Sequence, residues 1–331
     1  MRKFIKCFLL FISPIIIGAY FLDVFVSANL KKSNKYAEKE YTTWNDLFES
    51  KINSDVVIYG SSRAWVDFNP TMITNSLGVS TYNLGIDGHN FWLQYLRHTM
   101  LLKSNKKPKL IIVSVDNFTL QKREDLYNLE QFLPYMLWNK EIKDATISYE
   151  GFNLIDYELP LIRYYGKHEA IETALRFYLG RLSNPVTRVK GYQGRDEPWN
   201  TDFDKAKLTM KNYKVKVNID SKILFEQFIN ECKNQNIKLI FVYAPEYIEG
   251  QKFVENRDEI MSIFNNYSQE YDIPFYDYSN DEISFQKKYF YNANHLNKTG
   301  SELFTNKLID VLKNTSVIQE PNKNNNLSTQ Q

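Results

Sequence analysis

Two side chains, separated by most of the chain, carry the chemistry this sequence can support. Ser62 follows the apolar run Val56-Val57-Ile58-Tyr59 and the turn Gly60-Ser61. His295 lies in the stretch Phe290-Tyr291-Asn292-Ala293-Asn294-His295-Leu296-Asn297. A β-branched and aromatic run stopped by glycine reads as a buried strand ending in a sharp turn. Such a turn presents a hydroxyl at the C-terminal edge of a sheet, where open α/β sheets bind ligands. A serine hydroxyl is unreactive unless a base stands within reach, and a histidine on the same edge can be that base. Each residue alone also fits a plainer role, because strand-Gly-Ser-Ser is a common turn and a loop histidine can cap a helix. The pair on one edge is what points to nucleophilic catalysis.

The elements that must position this pair alternate. After Ser62, Asn69 can cap a helix and Pro70 fits its first position, with the helix ending near Gly78. Val79 to Leu84 reads as a second strand closed by Gly85 and Gly88, Phe91 to Lys103 as a helix, and Leu110 to Val115 as a buried third strand. This order predicts a parallel sheet with helices on both faces. From about Thr119 to Val217 the alternation stops, and an aromatic-rich, mostly helical insertion or lid is expected beside the sheet's C-terminal edge. Regularity returns with a helix over Ser221 to Asn236, a strand over Ile237 to Ala244, a helix over Gln251 to Tyr271 and a short strand over Ile273 to Tyr276. Asn297 then caps a closing helix from Gly300 to Lys313. The Asn/Gln/Ser-rich tail from Asn314 is expected to be disordered.

The bulk numbers bound the partners. With 331 residues the chain can bury a large core, and its net charge of +2 gives no reason to expect nucleic acid. Aromatics reach 15%, which suits a sheet-rich core or sugar-contacting surfaces alike. Cys7 and Cys232 sit in dissimilar segments, so neither a disulfide nor a paired-cysteine metal site is expected. Arg2, Lys3 and Lys6 precede the apolar run Cys7 to Leu22, followed by Asp23 and Val24 to Ala28. This is the pattern of an export signal over residues 1–30, either an uncleaved anchor or a leader cut after Val26-Ser27-Ala28. On either reading the bulk of the protein lies across the membrane. Residues 31–54 form a polar connector in which Tyr36, Tyr41, Trp44 and Leu47 are spaced as on a helix.

Three blocks resemble the SGNH (GDSL-like) hydrolase superfamily. Gly60-Ser61-Ser62 resembles the first family block, with Ser62 in the nucleophile's place and Ser61 where aspartate is commoner. Asn83-Leu84-Gly85-Ile86-Asp87-Gly88 resembles the second, with Gly88 matching the oxyanion glycine. Asn292 to His295 resembles the last, followed by the Leu296-Asn297 and Gly300 seen in membrane-anchored bacterial relatives. The similarity covers about residues 55–116 and 218–313. It implies a flavodoxin-like three-layer sandwich over 55–313, interrupted by the insertion. Two positions depart from the family. The third block, usually Gly-x-Asn-Asp, reads Ser114-Val115-Asp116-Asn117, so Asp116 falls on the family's asparagine in direct register. A carboxylate would repel an oxyanion, and a shift by one nominates Asn117 instead. Asn292 replaces the aspartate three residues before the histidine; its carbonyl can orient the imidazole but cannot stabilise the imidazolium by charge.

The implied chemistry is acyl transfer: Ser62 attacks an ester carbonyl, His295 moves the proton, and the Ser62 and Gly88 amides with the Asn117 side chain hold the oxyanion. Water as acceptor gives an esterase and a sugar hydroxyl an O-acyltransferase. The resemblance and location together imply acyl esters, acetyl above all, of a cell-surface glycan or polymer, with no metal or diffusible cofactor. Arg63 and His89 are candidate substrate contacts, Asp87 and Glu246 candidates for the missing acid, and Tyr192, Arg195 and Trp199 a candidate sugar platform. The competing readings are a catalytically degenerate glycan-binding relative and, more remotely, a nucleotide binder using Gly85 to Gly88 as a phosphate loop.

Overall fold

A computed structural model of the chain describes residues 1–88, 91–182 and 188–314, so the expected polar tail beyond Asn314 lies outside the described residues. Five strands, β1 (Val56–Tyr59), β2 (Thr81–Asn83), β3 (Leu110–Ser114), β4 (Lys238–Tyr243) and β5 (Phe275–Asp277), form one sheet in the order β2-β1-β3-β4-β5. Every neighbouring pair is parallel, with Val56 level with Leu110 and Leu110 level with Lys238. Because side chains alternate along a strand, Val57, Tyr59, Ile111, Val113, Phe241 and Tyr243 enter one core. Val56, Ile58, Leu110, Ile112, Ile240 and Val242 enter the other. Strands buried on both faces explain the unbroken apolar runs.

The helices, in chain order, are α1 (Arg2–Ser33), α2 (Glu40–Phe48), α3 (Ser62–Asp67), α4 (Pro70–Leu77), α5 (Phe91–Ser104), α6 (Lys140–Thr146), α7 (Leu154–Glu158), α8 (His168–Tyr178), α9 (Asp202–Thr209), α10 (Ile219–Asn234), α11 (Ile248–Phe253), α12 (Arg257–Tyr271) and α13 (Lys298–Leu312). One face of the sheet packs on α3, α4 and α13 through Ala64, Phe68, Ile73, Phe304 and Leu308. The other packs on α2, α5, α10 and α12, together with Phe132, Met136, Tyr157 and Tyr164 from the stretch between β3 and α10. The result is the three-layer α/β sandwich with a flavodoxin-like strand order.

Local chemistry fixes the ends of these helices. Asn69 Oδ1 accepts from the amides of Thr71 and Met72 to open α4, Pro70 occupies its first turn, and Gly78 closes it in the left-handed conformation. Asn297 Oδ1 accepts the Gly300 amide to open α13. The single helix expected over 251–271 is instead two. Val254 bridges to Tyr213, and Asn256 exchanges hydrogen bonds with the Val215 backbone at 2.9 and 3.0 Å, which draws residues 254–256 out of helical geometry. A short helix also begins at Ser62 itself, where the sequence shows only the turn after β1.

α1 is long and apolar enough to cross a membrane by length and composition. It runs unbroken through Val26-Ser27-Ala28, and Val26 and Leu30 are buried in the core.

Candidate active site

Gly60 makes the turn that the site needs. Its φ is +146°, and a Cβ there would stand 2.8 Å from the Ser114 carbonyl oxygen and 2.9 Å from Ala64 Cβ. Only glycine fits such a backbone against such neighbours. Ser61 then caps α3 by accepting the Arg63 amide at 3.3 Å and donates its own hydroxyl to Asp116 Oδ2 at 2.6 Å. Ser62 is thereby the first residue of α3, at the C-terminal end of β1 and half-exposed.

The closing loop meets it. Ser62 Oγ lies 2.7 Å from His295 Nε2, and His295 Nδ1 lies 2.9 Å from Asn292 Oδ1. The same Asn292 oxygen accepts the backbone amides of Asn294 and His295, each at 3.0 Å. Two backbone N–H donors require an oxygen at that position, which fixes the orientation of the Asn292 amide. Nδ1 must therefore carry the proton and donate, leaving Nε2 to accept from Ser62. Two further contacts hold the ring. Tyr291 stacks on it at 5.3 Å, and the Leu296 amide donates to Asp67 Oδ1 at 3.0 Å, tying the loop to α3. Burial, with the nearby cations Arg63 and Arg195, holds the His295 pKa down to about 3. The imidazole is therefore neutral in its resting state.

This pair opens into a cavity of about 230 Å³ lined by Ser61, Ser62, Gly88, Asp116, Asn294 and His295, with Phe118, Gln121, Arg123 and Tyr213 on its outer wall. It sits where the strand order reverses between β1 and β3, the position at which sheets of this order bind ligands. Gly88 has φ +67°, and a Cβ there would meet the Tyr127 ring at 2.0 Å. A second, mostly apolar cavity of about 260 Å³ shares Phe118, Tyr213 and Asn294 with the first and is walled by Phe203, Met210, Phe253 and Val254. Among the described residues no group of three or more His, Cys, Asp or Glu side chains is placed to hold a metal ion.

Several expected residues are placed elsewhere. Asn117 does not face the cavity: its Nδ2 donates to Tyr243 Oη at 3.2 Å and to Glu246 Oε2 at 3.4 Å, so the one-residue shift is corrected and Asp116 holds the cavity position. Arg63, a candidate substrate contact, borders the cavity but is buried. Its Nη2 donates to the carbonyls of Ala244 (2.6 Å) and Pro245 (3.2 Å), and its guanidinium lies over the Tyr243 ring. Glu246 accepts from Tyr243 Oη behind the site, and the Asp87 amide donates to Glu40 Oε1 at 3.0 Å. The far imidazole nitrogen is held by Asn292, not by either acid. Tyr192 donates or accepts at Ser301 Oγ, Arg195 pairs with Glu38 and Glu197, and Trp199 packs on Tyr247, so the three form no platform at the cavity. His89 lies outside the described residues. The Ser61–Asp116 hydrogen bond is a pairing that the sequence reading misses, although two neighbouring departures carry its signal: a hydroxyl donor at 61 and a carboxylate acceptor at 116.

A scan against protein-family models finds no match, and a search of curated proteins finds none. Three solved structures resemble the chain at low similarity. A candidate lipolytic protein of the G-D-S-L family from Desulfitobacterium hafniense DCB-2 is 13% identical, with a TM-score of 0.39 over 78% of this chain and 99% of that one. A GDSL-like lipase from Bacteroides thetaiotaomicron VPI-5482 is 13% identical, with a TM-score of 0.36 over 83% and 97%. A candidate acylhydrolase from Bacteroides fragilis NCTC 9343 is 14% identical, with a TM-score of 0.33 over 78% and 86%.

Proposed function

We propose that this chain is an SGNH-type serine ester hydrolase or O-acyltransferase. The observation that carries the proposal is the relay Ser62–His295–Asn292, two hydrogen bonds of 2.7 and 2.9 Å assembled from the two ends of the domain. In this reaction Ser62 Oγ attacks the ester carbonyl while His295 Nε2 takes its proton. The imidazolium then returns the proton to the leaving alcohol, and the acyl group stays on Ser62. Water or a sugar hydroxyl, deprotonated by the same nitrogen, attacks the acyl-enzyme and frees the serine. The Ser62 and Gly88 amides are the nominated oxyanion donors, because both residues line the cavity.

The substrate proposed is an acyl ester, acetyl in the first instance, of a cell-surface glycan or polymer. α1 is read as an uncleaved membrane anchor. Arg2, Lys3 and Lys6 ahead of the apolar stretch favour a cytoplasmic N-terminus, which puts the site outside the cytoplasm. One observation favours a second reading, a glycan-binding protein without turnover: Asp116 presents a carboxylate in the cavity, where it would repel a developing oxyanion. Incubation of the full chain with a fluorophosphonate and with p-nitrophenyl acetate separates the two. The enzyme reading expects a covalent adduct and ester cleavage, both lost in Ser62→Ala. A well-folded protein that neither labels nor turns over the ester is the binder.

A further inference from the structure

The part of α1 that follows its apolar run enters the protein rather than a linker. Asp23 accepts from both terminal nitrogens of Arg163, at 2.6 and 2.7 Å, and from the Leu161 amide at 2.7 Å. Ser27 Oγ bonds Tyr164 Oη at 2.8 Å, and Val26 and Leu30 are core residues. A carboxylate this well paired marks a fixed end to the apolar stretch. Upstream of it, the apolar run Cys7 to Leu22 at about 1.5 Å per residue spans about 24 Å, and Phe4 and Ile5, with the Lys6 ammonium reaching out to the headgroups, extend it toward the ~30 Å hydrocarbon thickness of a bilayer. Most of those side chains face outward.

Around that end stands a collar of exposed apolar and aromatic residues contributed by the stretch between β3 and α10. Trp138 stacks on Tyr20 at 5.4 Å and donates its indole N–H to the Glu158 carbonyl. Tyr178 meets Phe25 edge-on at 5.0 Å. Leu159 and Ile162 flank the Leu161 amide that holds Asp23, and Leu179 follows Tyr178 at the end of α8. The buried face of α8, Ala170 and Ala174, is small enough to let this helix lie close along α1. Exposure within the collar runs from 37% at Ile162 to 63% at Tyr178, high for large apolar side chains gathered near one end of a helix. Its position at the end of the span, and its tryptophan and tyrosine, are those of an interfacial belt.

We propose that this collar is a membrane-contacting surface, with Trp138 and Tyr178 at headgroup depth and Leu159, Ile162 and Leu179 entering the acyl boundary. The occupant is the bilayer because the collar is continuous with the helix that crosses it. The inference rests on the anchor reading of α1 and not on the chemistry of Ser62. It makes the anchor permanent, since cleavage after Ala28 would remove Val26 from the core and the Asp23–Arg163 pair with it. It also seats the domain on the membrane instead of leaving it to swing on a tether.

The test uses the full chain reconstituted in phosphatidylcholine vesicles whose acyl chains carry bromine at carbons 6 and 7. Trp138 is one of five tryptophans, and Trp44 and Trp65 are buried. The expected result is quenching of the share of emission that one tryptophan in five supplies, lost in Trp138→Phe and weakened when bromine moves to carbons 11 and 12. Equal quenching in wild type and W138F, or none in either, overturns the collar while leaving the anchor standing. So does cross-linking that shows Trp138 shielded between two copies. A chain that fails to float with the vesicles overturns both.

Discussion

At the C-terminal edge of the sheet, Ser62 and His295 are held by a backbone turn, amide donors and short polar side chains, the carboxylates Asp67 and Asp116 among them. A glycine turn, a serine cap, an asparagine that accepts three hydrogen bonds and the Leu296 amide on Asp67 do the positioning. Where α1 and α2 meet α5 and the helical stretch after β3, the holding groups are close, fully buried ion pairs. Glu40 pairs with Arg97 and Arg188, and Asp23 pairs with Arg163, all shielded from water. Arg97 also donates to the carbonyls of Leu84 and Gly85, and Glu40 accepts the Asp87 amide, so this charged cluster reaches the loop that carries Gly88. The difference separates two kinds of failure. Damage at the first edge should remove chemistry and spare the fold, whereas damage at the second should loosen the fold first.

The largest effect tests the first half of that contrast. Ser62→Ala is expected to lower kcat for p-nitrophenyl acetate by roughly 10⁴–10⁶-fold, with the thermal midpoint nearly unchanged because only a half-exposed hydroxyl is lost. A retained rate would place the nucleophile elsewhere. Arg163→Ala tests the other half. It leaves Asp23 buried without its partner, and a broken buried pair costs about 3–5 kcal/mol. A clear fall in the thermal midpoint of the micelle-bound chain is expected, with kcat altered much less. Replacing both residues by leucine should recover most of that loss, because the desolvation of two charges disappears with them.

The two regions also differ in how much of each is legible in the sequence. The site edge was legible because its signals are local. Val56 to Tyr59 with Gly60 names a strand and its stop, Asn69-Pro70 a helix start, and Asn297 a cap, each within a few residues. The meeting of Ser62 with His295 followed once the order of strands implied a shared edge. What escaped was set by partners distant in sequence. Asn256 is drawn from a helix by Val215, and Arg63 is turned inward by carbonyls at 244 and 245. The Asp23–Arg163 pair could not be anticipated either, since an aspartate at the end of an apolar run looks the same whether it meets water or an arginine.

Within the site edge, Asn292→Asp sharpens the comparison by adding a charge where none is used. His295 acts as a base only when neutral, so activity is present above its pKa and lost as pH falls through it. With that pKa held at about 3, the wild-type kcat/KM profile should show no histidine limb down to pH 5. A carboxylate at 292, within hydrogen-bond distance of Nδ1, should raise the histidine pKa by about 1–3 units. An acid limb should then enter between about pH 4 and pH 6, and the plateau rate should rise because the imidazolium is now stabilised. An unchanged profile would mean that Asn292 does not contact the working imidazole.

The smallest expected change in rate comes from Asn117, and it decides whether Asp116 or Asn117 holds the cavity position after β3. Loss of an oxyanion donor typically costs about 10²–10³ in kcat. The Asn117 amide, however, is engaged by Tyr243 and Glu246 behind the cavity, and those two remain hydrogen-bonded to each other without it. Asn117→Ala should therefore change kcat by less than about threefold while lowering stability by about 1–3 kcal/mol, the cost of a lost buried hydrogen-bonding group. Gly88→Ala is the matched contrast on the cavity side. Its Cβ would collide with the Tyr127 ring and displace the loop amide, so the rate should fall by the larger factor. If Asn117→Ala fell as far as an oxyanion donor does, the side chain would have to turn into the cavity on substrate binding, and Asp116 would lose its claim to that position.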